Sequence, residues 1–521
     1  MIKQAVESPT VSKRRTKILV SITALLLLVA LIAYVIARFT SESPVTYDNI
    51  EAHFKHGSIG SEPANGLPYW IWKALPVMFP EKLPDKSLTS LSPGQGELLY
   101  RKGYESLGFL FEEGNDLPIG LSQRRARGID LVWLNCAVCH TGTMRESPDA
   151  RRQLLPGAPA NNMRLYSFIQ FLRATALDNR FNPDYVMEKI QEVGGNLNFI
   201  DRLIYRYFVI DRVRTALLKL RGQLAYMDRQ YDWGPGRVDT FNPYKVIQFN
   251  FPMDNLPLEE LNGSAEYPSI WNQGPRQGMN LHWDGDNSMV QERNLSAALG
   301  AGVTPVTVDR AAIGRIEEWL WTLPAPPYPK LAEVDQAKAA AGQELYGHYC
   351  ANCHGKKEGD KYDFDTRKFT QLGQVEPLED IGTDPGRLTS YTPALAGNQN
   401  LLFAGYPWRF KHFHKTNGYA NQPLDGIWAR SPYLHNGSVP TLRDLLNPAE
   451  QRPKVFYRGY DVFDWKKVGY ISDVAEENDK SFFRFDTQVP GNSNAGHDGE
   501  EYGTHLSDEQ KDAIVEYMKT F

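Results

Sequence analysis

Two pentapeptides carry the chemistry legible in this chain: Cys136-Ala137-Val138-Cys139-His140 and Cys350-Ala351-Asn352-Cys353-His354. In each, two thiols can add to the two vinyl groups of one haem while the adjacent imidazole binds its iron. A Cys-x-x-Cys pair alone also suits a redox dithiol or half of a zinc site. The chain contains 4 cysteines, all in these motifs, so no thiol remains to complete a zinc tetrad or a separate disulfide. The expectation is two covalently bound haem c groups, attached through Cys136, Cys139, Cys350 and Cys353, with His140 and His354 each ligating an iron on one face.

The opposite faces decide function. An iron with a second strong protein ligand shuttles electrons, whereas an open one binds oxygen or peroxide. No methionine lies between Met289 and Met518, and Met518 sits in a helical stretch on its hydrophobic side. The C-terminal iron, if six-coordinate, is therefore expected to be bis-histidine. The candidates are His412, His414, His435, His497 and His505, while His348 lies on the haem-bearing helix itself. In small cytochromes c this ligand comes from the loop before the last helix, which points to His497 in Gly-Asn-Ser-Asn-Ala-Gly-His, with His505 as the alternative nearer the helix cap. His435 is read as a hydrogen-bonding partner of a propionate or of loop backbone.

For the N-terminal iron, His282 is the single histidine between His140 and His348. It is either a sixth ligand or distal acid/base, or a hydrogen-bonded core residue. Met279 and Met289 are weak ligands or packing. Trp283 either carries a hole between two porphyrins or fills the core.

These residues need elements to position them. Residues 18–37 form a twenty-residue block without charge, long enough to cross about 30 Å of hydrocarbon as a helix. Lys13, Arg14, Arg15 and Lys17 precede it, a flank that holds residues 1–17 in the cytoplasm and sends the rest outward. A cleaved signal is the rival reading, with a weak cleavage site at Val35-Ile36-Ala37. Both export the haem motifs, as c-type attachment requires, and the expectation is a single-pass protein of a bacterial inner membrane facing the periplasm. The remainder has no second apolar run of membrane length; the chain is 42% hydrophobic and 23% charged, and its net charge of −5 gives no case for nucleic acid binding.

The expected fold is mainly α: the anchor, a linker or N-terminal wrap at 38–90, a haem domain at 91–325 with a helical insert, and a second haem domain at 331–521, with long loops throughout. Trp70, Trp72, Phe79 and Pro84 argue against a disordered tether. Helices are expected at 94–107, leading by a loop into the first motif, then at 163–175, 183–223 and 311–323. In the third of these, Leu203, Tyr207, Ile210, Leu217 and Leu220 share one face and Arg202, Arg206, Arg212, Arg214 and Arg221 line the rest. That helix either covers the haem core or touches an anionic membrane surface. Loops dense in Gly, Trp and Asn at 233–243, 267–278 and 281–302 mark close backbone approach to a bound group, and the expected one is a porphyrin. Pro324, Pro326, Pro327 and Pro329 make the clearest domain boundary. Beyond it, a helix at 336–349 runs into Cys350, and one at 507–520 opens with a Ser507/Gln510 capping box.

These features resemble the di-haem cytochrome c peroxidase superfamily, which includes the MauG-type enzymes. The resemblance rests on the two haem motifs, the Trp283-Asp284-Gly285 turn and the turn Pro432-Tyr433-Leu434-His435-Asn436-Gly437-Ser438. The long insert after His140, the Trp-Gly-Pro-Gly-Arg segment from Trp233 and the loop carrying His497 look most like the rubber-oxygenase-like (RoxA-like) branch. The resemblance runs from about residue 94 to the C-terminus. It implies that Trp283 lies between the haems, that the N-terminal haem is reactive and that His497 binds the second iron. A calcium ion between the domains is a family possibility for which the sequence offers no ligand cluster. The chain departs from the bacterial peroxidases in having no histidine over 141–281, and Val303-Thr304 where an acid is expected. Peroxide heterolysis needs a base to move the proton, so that machinery is missing or rebuilt around His282.

Three functions follow as expectations. One is an oxidoreductase that reduces peroxide or activates oxygen at the N-terminal haem, fed through Trp283 and exchanging electrons with a redox protein partner. The second is a tethered electron carrier without catalysis, and the third is oxidative cleavage of an apolar polymer or modification of a partner protein.

Overall fold

The computed structural model describes residues 9–91, 94–478 and 480–521, with side chains from Arg14 onward; residues 1–8 of the expected N-terminal segment lie outside it. Helix α1, Pro9–Thr40, has 32 residues and contains the one described stretch long and apolar enough to cross a membrane, with mean hydropathy 2.9 over its apolar window and none of that window buried. At about 1.5 Å per residue it exceeds the hydrocarbon thickness. Its end is fastened to the body: Arg38 forms an ion pair with Asp201 and donates to the Gly128 carbonyl at 3.0 Å.

The segment expected as linker or wrap is part of the core. Helix α2, Ile50–His56, buries Phe54, and α3, Tyr69–Met78, buries Trp72 and Leu75. Trp72 stacks on Tyr104 of α4, Gly96–Ser106, with ring centres 4.0 Å apart and 3° between planes. Between α4 and the first motif stands a hairpin where a loop was expected: β1, Leu121–Ala126, pairs antiparallel with β2, Ile129–Leu134. Arg127 and Gly128 both take positive φ, the tight turn that matches strand twist. Short pairings from Ser43–Pro44 and Leu67–Pro68 complete a four-stranded sheet. The hairpin ends at Leu134, with only Asn135 between it and Cys136, and so delivers the motif from a rigid element.

The long helix expected after the first motif is interrupted. Following α5, Leu165–Thr175, come α6, Pro183–Glu192, and α7, Phe199–Ile204, which Asn198 caps. A π-turn over Tyr205–Val209 leads into α8, Ile210–Gln223. The buried stripe is Tyr205, Val209, Ile210, Val213 and Leu217. The π-turn adds one residue to the helix, and one residue is worth about 100° of rotation. Leu203 and Tyr207, expected on the inner face with Ile210, are therefore turned outward.

Past α9, Arg310–Thr322, the prolines end the helix as expected. Helix α10, Gln336–Tyr349, crosses α11, Asp508–Met518, and the Ser507 side chain and Gln510 form the expected capping box. The crossing is close at Gly342, where a Cβ would stand 1.9 Å from the Ala513 carbonyl oxygen. The proline run does not divide the packing cleanly. Tyr391, Leu395, Phe403, Phe410 and Phe413 join a core with Phe54, Phe241, Leu299 and Ile316. Polar fastenings cross it too: Asp461 receives Arg145 Nε at 2.7 Å and Arg152 Nε at 2.6 Å, and its backbone carbonyl accepts from the Arg145 amide at 2.7 Å.

Burial raises the Asp461 carboxyl, but Arg152 and Arg145 hold it below its ordinary value of 3.8. Asp461→Asn strips two cations of a buried partner, and the expected loss is about 3 kcal/mol at neutral pH, read from urea unfolding. Because the folded-state carboxyl titrates below the unfolded one, this contribution is complete above about pH 4 and fades as pH falls through the folded value. The gap between wild type and variant should close in acid. Equal unfolding midpoints at neutral pH would show that the cluster fastens nothing.

Candidate functional site

The second motif sits where α10 ends, with Cys350 at its cap and His354 in the short helix Ala351–His354. His354 Nδ1 donates to the Gln422 carbonyl at 2.7 Å, which leaves Nε2 as the free acceptor. The imidazole of His497 faces it, ring centres 6.1 Å apart and planes within 20°. Two imidazoles bound to one metal through bonds of about 2 Å each have ring centres about 6 Å apart, so the observed spacing leaves room for a metal between these two rings. Burial pushes His497 down to about 3, reinforced by His354 and Arg452, and burial also lowers His354. Both imidazoles are thus neutral, the form that binds a metal.

His497 takes positive φ in the loop before α11. Arg452, 2% exposed, holds it by donating to the carbonyls of Asn494 and Gly496, each at 2.7 Å, and of His497 at 2.8 Å. His497 Nδ1 is buried without a hydrogen-bond partner among the described residues. The alternative ligand His505 is exposed, and Met518 is buried in the α10–α11 core. His435 is buried, stacked on Tyr419 at 4.2 Å, with its Nε2 3.1 Å from the Tyr419 hydroxyl.

The first motif follows Asn135, whose side chain accepts from the Ala137 amide and donates to the Gly57 carbonyl. His140 Nδ1 donates to the Pro268 carbonyl at 2.9 Å, the same arrangement as in His354. Burial, with Arg293, lowers His140 to about 4. Among the described residues, no ring contact places an imidazole face to face with His140. Instead Cys136, Cys139 and His140 line a cavity of about 1050 Å³, and His282, Trp283 and Asp286 stand in its wall. His282, at φ +60°, has its Nδ1 held by Asp286. Met279 packs against Gly373 and Met289 accepts from Gln277; neither is among the lining residues.

Trp283 joins the two sites. It lines the first cavity and packs against the cluster of Ile381, Leu388 and Tyr419 that also carries Tyr502. Tyr502 lies 5.2 Å from the His497 ring. Beside it, Gln422 donates its side-chain amide to the His282 carbonyl at 3.1 Å while its own carbonyl holds His354. Arg387 grips Asp284 of the same turn through Nε at 2.8 Å and Nη2 at 2.7 Å.

Gln422, Arg452 and the Pro268 carbonyl were not among the sequence candidates. Two of them act on histidines through backbone oxygens, and any residue has one. Burial raises the thiols, Cys136 to about 11 and both Cys139 and Cys350 to about 12, with Cys353 raised as well. A redox dithiol is poised by a lowered thiol pKa, so these pairs do not fit that reading. Covalent haem fits the residues present: paired thiols, an imidazole aimed by its Nδ1 bond and, at the second site, an opposed imidazole at metal-binding separation. Among the described residues no group of three or more His, Cys, Asp and Glu side chains gathers as a metal-ion site.

Comparison with known proteins agrees with this chemistry. Residues 418–457, the stretch holding Gln422, His435 and Arg452, match the family model described as RoxA-like, cytochrome c-like. The chain is 32% identical over 301 residues to the uncharacterized protein y4iM of Sinorhizobium fredii, a match spanning 49% of this chain and 64% of that relative, just under two thirds of its length. It is 25% identical over 519 residues to the uncharacterized protein y4iJ of the same organism, covering 80% of this chain and 84% of the relative. The family match supports a relationship between this chain and the RoxA-like cytochromes c, and with it the binding of haem c.

Proposed function

We propose that this chain is a membrane-anchored di-haem c-type oxidoreductase of the bacterial periplasm, with one closed and one open site. The observation that carries the reading is the asymmetry between His354, faced by His497 at 6.1 Å, and His140, which looks into a cavity of about 1050 Å³. Cys136, Cys139 and His140 would hold one haem, and Cys350, Cys353, His354 and His497 the other. The groups supply electron storage at the doubly ligated site and reaction with peroxide or oxygen at the open one.

The chain's own residues then have defined tasks. Asp286 fixes the proton on His282 Nδ1, so Nε2 is the acceptor that takes a proton from an oxidant in the cavity and returns it to the departing oxygen. This assigns to His282 the work of the histidine and acid that the peroxidase pattern places elsewhere. Trp283 fills the path between the sites, excluding water and offering an oxidisable ring. Electrons come from or go to a redox protein. A second reading, oxidation of an apolar substrate, is favoured by the walls of the cavity, where Leu134, Phe168, Leu172, Val213 and Leu217 crowd one side.

Electron paramagnetic resonance of the oxidised protein tests the asymmetry. We expect one low-spin, bis-histidine signal and one iron that responds to cyanide, with His497→Ala converting the low-spin signal to high spin. Two low-spin irons indifferent to cyanide would leave an electron carrier and no enzyme. For the proton relay, His282→Ala should cut peroxide turnover by about 10²-fold or more while the low-spin signal stays unchanged. Undiminished turnover in that variant would remove His282 from the chemistry.

A further inference from the structure

Helices α7 and α8 with the π-turn between them expose an apolar stripe for which the body of the protein has no use. Phe199 is 76% exposed, Tyr207 and Phe208 are each 62% exposed, and Ile200 and Leu203 lie between them on the same outward side. Single exposed apolar residues are ordinary, but a contiguous stripe on one helix marks a contact surface. Arg202 and Arg212 are exposed along its flank, with Arg206 half-exposed. An apolar stripe bordered by arginines is the pattern of a helix lying in the headgroup region of a bilayer.

The position of the stripe relative to α1 identifies what covers it. The uncharged run of α1 ends at Ala37, which sets the depth at which the hydrocarbon ends. The next residue, Arg38, is ion-paired with Asp201, within one turn of Phe199, Ile200 and Leu203. The stripe therefore begins at the level where the membrane helix emerges. The cavity over His140 reaches the same place: Phe39 and Phe208 both line it and are both exposed, which puts them at its mouth.

Resting on the reading of α1 as a membrane anchor, we infer that the outer face of α7, the π-turn and α8 is seated in the lipid headgroup and acyl boundary beside α1. The mouth between Phe39 and Phe208 then opens at the bilayer surface. A molecule dissolved in lipid reaches the cavity without crossing bulk water, and the π-turn is what rotates Tyr207 and Phe208 toward the membrane.

The test uses the full haem-loaded chain in nanodiscs of phosphatidylethanolamine and phosphatidylglycerol, with benzoylphenylalanine placed singly at Phe199, Phe208, Leu27 and Leu331. Leu27 lies within α1, and Leu331 is an exposed apolar residue of the second haem half. After illumination, mass spectrometry should find acyl-chain adducts at 199, 208 and 27 and none at 331. Absence of lipid adducts at both 199 and 208 overturns the inference, and the Leu27 position tells whether the anchor reading falls with it. Adducts at 199 and 208 only to another protein chain also overturn it, assigning the stripe to a protein partner. Labelling at 331 equal to that at 208 would show indiscriminate lipid contact and overturn it as well.

Discussion

The structure depends on a gap held open between two half-buried, neutral imidazoles. His354 and His497 face each other at 6.1 Å, too far apart to bond and too well aligned to be incidental packing. A buried polar atom left without a partner costs about 1–3 kcal/mol, and His497 Nδ1 is such an atom. The chain sustains the arrangement from both sides. Gln422 fixes the tautomer of His354, and Arg452 spends its guanidinium on the carbonyls of the loop that brings His497 in. The same guanidinium also binds the Leu445 and Asn447 carbonyls, so it ties the His497 loop to the end of the short helix at 442–445 and the residues that follow it. On the proposed reading, this arrangement is a place for an iron between two nitrogens.

The contrast with His140 follows from the same logic. Its Nδ1 is fixed in the same way, by Pro268, so the proximal half of each site is built alike. The distal halves differ: His282 stands in the cavity wall with its Nδ1 held by Asp286, and Met279 packs against Gly373 outside the lining. The two sites are also joined by more than proximity. Gln422 touches His354 through its carbonyl and the His282 backbone through its side chain, so a shift at one imidazole bears on the loop that carries the other. Trp283 lies in that loop, bonded by its indole nitrogen to the Glu266 carbonyl at 2.8 Å. The proposed relay and the proposed acid/base group thus share one rigid turn.

Much of this was legible in the sequence because it is written in residue types. Cysteine and histidine at fixed spacing, the helix running into Cys350 and the Ser507 cap are local signals, and local packing did not override them. The π-turn was not legible, since its sequence reads as ordinary helix and only the register of burial betrays the added residue. The hairpin before Cys136 leaves a weak signal, because Leu-Ser-Gln-Arg-Arg-Ala at 121–126 does not alternate and only Arg127-Gly128 marks the turn. Arg452 and Gln422 left no signal at all. Their partners are carbonyl groups brought together by chain segments far apart in sequence, and a carbonyl has no residue identity.

The boundary at the proline run shows how the halves are used. Prolines end α9, but the packing ignores them: Tyr391 stacks on Phe241 at 4.6 Å, and residues 391–413 close the core that flanks the first cavity. Gln399, from the same segment, lies in the cavity wall. Here the second half supplies Arg387 and Gln399 to the wall of the first cavity, the carbonyl that orients His354 and the amide that holds the His282 loop. The wall beside His140 thus includes groups that are in place only when the second half is folded against the first.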